Sequence, residues 1–195
     1  MLFRSNNVVE AALGDTPEFY RKRSVNPPLS ALGERQAAAL GQHLGAQLQG
    51  AASRGRVRLV CSSMGRAMQT MAPLATTLQL RPTVNPACIE KCGFFSVNSK
   101  GKHTAHAGPS RKDIERRHPG FDAALVEEVS KPTLETISGA AARAAKFARG
   151  MEAMASGPDA PELLVIVAHV DFIGLCARAL LGAAMPAAAA GGGGF

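Results

Sequence analysis

From residue 31 onward the chain alternates between helical and extended apolar patterns, and their order predicts an α/β fold. Ala37, Leu40, Leu44 and Leu48 recur at helical intervals, so Glu34 to Leu48 reads as an amphipathic helix. Ser30 is its expected N-cap, and Asn26-Pro27-Pro28 ahead of it is non-helical because each proline lacks a donor and restricts its predecessor. Arg56 to Cys61 becomes continuously apolar and predicts a strand, closed by Ser62-Ser63. A second helix covers Arg66 to Leu78, which Pro73 should kink or divide. Pro82 to Pro86 punctuates an edge strand, whereas 93–112 is rich in glycine, serine and basic residues and reads as an excursion from the core. Asp113 to Arg117 reads as one or two helical turns, and Thr136 to Met154 as an alanine-rich helix capped by Ser138. After Gly157-Pro158 and Pro161, the unbroken apolar run Leu163 to Ala168 predicts a central parallel strand buried on both faces. His169 ends that run, and Phe172 to Leu181 forms the next helix.

Such helix–strand–helix units predict a three-layer α/β/α sandwich around a mostly parallel sheet. A chain of 195 residues, 46% of them hydrophobic, suits one domain. Residues 1–186 are assigned to it, with an inserted, cap-like region at about 93–130, and 187–195 to a disordered Ala/Gly-rich tail. No apolar run reaches membrane-spanning length, and the start is too short and polar for a signal peptide.

A formal charge of +7 makes phosphate-bearing partners plausible. Nucleic acid is disfavoured: aromatic content is 5%, tryptophan is absent, and the densest basic groups, Arg21-Lys22-Arg23 and Arg116-Arg117, are short. Cysteines 61, 88, 92 and 176 match neither a zinc knuckle nor a disulfide scaffold, which predicts a reducing, cytoplasmic setting. Cys88 and Cys92 with His103 and His106 lack zinc spacing and read as buried thiols and surface imidazoles, so no metal site is expected.

Candidate chemistry gathers where strands end, because ligands of such sheets bind beyond the strands' carboxyl ends. Ser62-Ser63 and His169 occupy two such ends, and Arg66 falls in the first turn of the following helix. A guanidinium with fixed paired donors beside a helix start suits a phosphate. His169 reads either as a ligand to a phosphoryl oxygen or as a donor to a neighbouring carbonyl.

Two longer segments carry a resemblance. Pro28-Leu29-Ser30-Ala31-Leu32-Gly33-Glu34-Arg35-Gln36-Ala37 and Cys61-Ser62-Ser63-Met64-Gly65-Arg66-Ala67-Met68-Gln69-Thr70 resemble the "PL(S/T)xxGxxQA" and "SSxxxRAxQT" segments of the histidine phosphatase superfamily, which includes the phosphoglycerate mutases. Glu90, ahead of Gly93-Phe94, is placed like that family's acid, and Val165 to His169 resembles its closing strand and second catalytic histidine. The resemblance spans roughly residues 4 to 182. It implies a phosphoglycerate-mutase-like fold and phosphoryl transfer through a phosphohistidine, with no metal or other cofactor. Arginines and the second histidine would hold the oxygens while a carboxylic acid protonates the leaving group. On this chain it implies Arg4, Ser62, Arg66 and His169 as phosphate ligands and Glu90 as the acid.

The pattern breaks at the nucleophile, since no Arg-His-Gly occurs in the chain. Arg4-Ser5-Asn6-Asn7-Val8-Val9-Glu10, followed by Leu13-Gly14, is similar to the opening of the branch related to ecdysteroid-phosphate and protein-tyrosine phosphatases, and Ser5 falls at the nucleophile's position. A hydroxyl on a shorter side chain needs an adjacent base and sits away from the imidazole's reacting atom, which costs orders of magnitude in rate. Histidines 43, 103, 106 and 118 fall on helices or loops far from that opening. A pseudoenzyme and a truncated or mis-started chain lacking terminal strands both account for the change. Loss of catalysis is favoured because Ser5 is an internal replacement that leaves Arg4 in place. The expected partner is phosphate or a phosphorylated small molecule, with a phosphoprotein also open. An active phosphomonoesterase and a non-catalytic scaffold are the alternatives, and a dimer is left open.

Overall fold

The computed structural model describes residues 16–22, 24–98, 100–129 and 131–185, so Arg4, Ser5 and the 187–195 tail lie outside the described residues. In chain order its elements are α1 (Pro17–Lys22), α2 (Ala31–Ser53), β1 (Val57–Cys61), α3 (Gly65–Leu78), β2 (Thr83–Val84), a 3-10 turn (Pro86–Cys88), β3 (Phe95–Val97), β4 (His103–Ala105), α4 (Arg111–Arg117), α5 (Ile137–Ser156), β5 (Leu163–Val167) and α6 (Val170–Leu180).

The sheet has the order β2-β1-β5 and is parallel throughout, with Val57 opposite Leu163 and Cys61 opposite Val167. Side chains alternate across a strand, so β1 feeds two cores. Val57, Leu59 and Cys61 pack with Met68, Met71, Leu74 and Leu78 of α3 and Ala52 of α2. Val60 faces the other way, onto Ala140, Ala144 and Phe147 of α5 and Phe172 and Leu175 of α6. The result is the expected α/β/α sandwich, with helices on both faces.

Local chemistry explains the helix starts. Ser30 caps α2 by accepting the Gly33 N–H at 3.1 Å. Thr136, not Ser138, caps α5: its hydroxyl accepts the Gly139 N–H, and Ser138 already lies in the first turn. Helix α4 begins with a reciprocal capping box between Ser110 and Asp113.

Three other expectations change. Pro73 does not divide α3, which runs continuously from Gly65 to Leu78. The proline packs against Gly41 of α2 so closely that a Cβ there would lie 2.7 Å from its ring. Among the described residues β5 is an edge strand, not a central one, with Leu163 and Ile166 exposed; β1 takes the centre. Apolar continuity reports a strand that tolerates burial and does not say which neighbours it has. Finally, 93–112 contains the antiparallel hairpin β3–β4, with Phe95 opposite Ala105. Its continuation supplies Ile114, Phe121, Ala123 and Val126 to the first core. No described helix is long and apolar enough to cross a membrane.

Candidate functional site

The parallel register of β1 and β5 brings their carboxyl ends side by side. Ser62 extends the ladder by one bond, its N–H donating to the Val167 carbonyl at 3.0 Å. His169, two residues beyond Val167, then meets Ser62 from across the sheet: its Nε2 lies 2.9 Å from Ser62 Oγ. Both side chains are buried. Ser62 Oγ already accepts the Met64 N–H, which leaves its own proton for a neutral imidazole. Burial, then the positive charges of Arg66 and Arg143, push His169 down to about 3 from 6.5.

Arg66 sits in the first turn of α3, whose start is tied to the 24–30 segment. Asn26 Oδ1 accepts the Gly65 N–H at 3.0 Å, and Gln69 Oε1 accepts the Leu29 N–H at 2.9 Å. The two conspicuous sequence segments therefore hold each other, and part of what makes them recognisable is this mutual bracing.

Glu90 arrives from the third strand end, just past the 3-10 turn that follows β2. Its Oε1 accepts the N–H of Lys91 at 2.9 Å and that of Phe172, in the first turn of α6, at 3.2 Å. Burial raises its pKa above the ordinary 4.5 although these two donors and the Arg66 charge pull the other way. Arg66 and Glu90 line one cleft of about 190 Å³ with Gly93, Phe95 and the Lys91–Asp171 ion pair (2.9 Å) at its half-exposed rim. Arg66 thus lies close enough for its charge to act on both Glu90 and His169, although Ser62 and His169 do not line this cleft, and Arg4 and Ser5 lie outside the described residues. A guanidinium beside a carboxyl that retains its proton more readily than usual suits an anion with a basic leaving oxygen.

Sequence reasoning missed Arg143. From α5 its guanidinium donates to the carbonyls of Ala87 and Ile89 at 2.9 and 3.0 Å, pairs with Glu135 (Nε to Oε1, 2.8 Å) and stacks 4.7 Å from the Phe172 ring centroid. It fixes the segment leading into Glu90 and the residue whose N–H binds Glu90. The available signal was its position: Arg143 falls on the stripe formed by Ala140, Ala144 and Phe147, where a charge is out of place unless partnered.

The other histidines serve elsewhere. His106 Nε2 lies 2.7 Å from Ser96 Oγ, His103 packs edge-on against Phe95, His118 ends α4, and His43 is exposed on α2.

The sequence pattern of the histidine phosphatase superfamily (branch 1) matches residues 14–190. The chain belongs to that superfamily. Two solved phosphatases are similar in fold. The ecdysone phosphate phosphatase of Bombix mori, in complex with tungstate, is 15% identical with a TM-score of 0.56, covering 80% of this chain and 57% of its own. A mycobacterial glucosyl-3-phosphoglycerate phosphatase with inorganic phosphate is 22% identical with a TM-score of 0.50, covering 85% and 75%. The comparison with curated proteins gave no match.

Proposed function

We propose that this histidine phosphatase relative binds phosphate and phosphate monoesters at the strand-end cluster, with turnover impaired or absent because Ser5 stands at the nucleophile's position. The binding half rests on one observation, the convergence of Arg66, Glu90 and His169 beyond the strand ends. Arg66 supplies paired donors to phosphoryl oxygens, and Arg4 would add a second guanidinium. His169 is neutral at pH 7 and offers hydrogen bonding rather than charge once its contact with Ser62 is exchanged for the ligand. Glu90, kept protonated to a higher pH by burial, is the acid that would meet the leaving oxygen. What is missing is the imidazole that would attack phosphorus and carry the phosphoryl group.

Calorimetry with phosphate and vanadate tests binding, and release of p-nitrophenol from p-nitrophenyl phosphate tests turnover. Binding should be measurable and fall at least about tenfold in Arg66→Met, the scale of one charge-assisted contact. Turnover should match the buffer blank and rise above it in Ser5→His/Asn6→Gly, which restores the motif. Wild-type turnover well above the blank would sink the impaired half, and no affinity for any phosphate ligand would sink the binding half.

A further inference from the structure

We infer that the ester bound at this site has a small, apolar, uncharged alcohol part, seated in a cavity beside the Arg66–Glu90 cleft; the inference rests on the phosphate-binding reading above. The cavity measures about 240 Å³. Pro86, Ile89, Phe94, Pro109, Leu125 and Val126 form its apolar walls, opposite a polar side that includes His106 and Thr133.

It meets the phosphate cluster at two points. Ser63, on its wall, directly follows the Ser62 that holds His169. Gly93 belongs to both the cavity and the cleft. Gly93 adopts φ +72°, a left-handed conformation that favours glycine, and a Cβ there would sit 3.3 Å from the Thr133 carbonyl. With phosphorus beside Arg66 and the ester oxygen toward Glu90, the substituent on that oxygen is directed past Gly93 into the apolar hollow.

Size and charge narrow the alcohol further. The volume lies under the ~300 Å³ at which drug-sized ligand sites begin, so one ring or a short branched chain fits, and a disaccharide or peptide does not. Glu127 and Lys131 on the lining carry opposite charges and His106 adds a single imidazole, so the walls hold no cluster of cations for a second phosphate. Phe94 and Val126 are buried at 6% and 3% exposure, which makes these walls preformed, whereas Leu125 is 55% exposed at the cavity. A ligand ring resting on Leu125 would cover that surface and gain from its removal from water.

Calorimetry on the full chain with inorganic phosphate, phenyl phosphate and glycerol 3-phosphate tests the inference. Phenyl phosphate should bind at least about tenfold more tightly than the other two, as expected for burying a ring. Leu125→Asp should bring the ratio of phenyl phosphate to inorganic phosphate affinity close to one, and the exposure of this side chain makes the change tolerable to the fold. Equal affinities, or a preference for glycerol 3-phosphate, would overturn the inference and leave the phosphate site standing. A preserved ratio in Leu125→Asp would also overturn it, by placing the ring elsewhere. Failure of all three ligands to bind would remove both the inference and the reading beneath it.

Discussion

Arg143 satisfies two carbonyls, one carboxylate and one aromatic face with a single side chain, itself only 18% exposed. Methionine at this position would leave Glu135 and both carbonyls short of partners, and Arg143→Met should cost about 2–4 kcal/mol in urea denaturation, as for breaking a largely buried pair. Arg143→Lys should recover only part of that, since an ammonium cannot serve the same fork of acceptors. His169 sets a pH dependence of known sign. The unfolded chain takes up a proton near 6.5, the folded one only near 3, so stability should fall as pH drops through that window. The slope approaches about 1.4 kcal/mol per pH unit for one proton, and His169→Asn should flatten it in denaturation curves taken at pH 7, 5 and 4. Glu90 works in the opposite sense: its raised pKa stabilises the fold at low pH, and that contribution is lost as pH rises above 4.5. Arg66 and His169 were legible in the sequence because reactive residue types stood where strands end, and Glu90 only through the family resemblance. Arg143 was not, because two of its acceptors are main-chain carbonyls 54 and 56 residues away, and a carbonyl leaves no mark in a sequence.

The elements owe their packing to small residues. Gly41 and Gly45 let α2 lie directly on α3: a Cβ at Gly45 would come within 2.3 Å of Thr77 Cγ2, and one at Gly41 within 2.8 Å of the Leu74 backbone nitrogen. Alanine favours an isolated helix over glycine by about 1 kcal/mol. Gly41→Ala should nevertheless destabilise, by about 1–3 kcal/mol, because backbone has to move. Gly150, in α5, has nothing within 4 Å of its would-be Cβ. Gly150→Ala should therefore stabilise by about 0.5–1 kcal/mol, and thermal melting of the two variants would display opposite signs. At this scale α2 to α6, β1 and β5 were readable from the sequence pattern, whereas α1 was not. The hairpin was not: β3 and β4 are three residues each and sit among glycines and lysines, too short for alternation to register. Strand order was equally hidden, because pairing is a property of two segments and the apolar run at 163–167 describes one.

Across the whole molecule the two helical layers differ in substance. One core is filled by Met68, Met71, Leu74 and Leu78, the other largely by Ala140, Ala141 and Ala144 with Phe147 and Phe172. Side α6 also leaves Val170, Ile173 and Leu180 exposed. Less apolar area buried means a lower opening free energy. Native-state hydrogen exchange should find amides of α5 and α6 opening before those of α2 and α3, and uniform protection would contradict this. His169 stands at the start of the weaker layer and Arg66 at the start of the stronger one. Each excursion of the weaker layer would carry the imidazole off and leave the guanidinium behind. An oxyanion gripped by both would then act as a clasp across the sheet, slowing exchange most in a helix it scarcely touches.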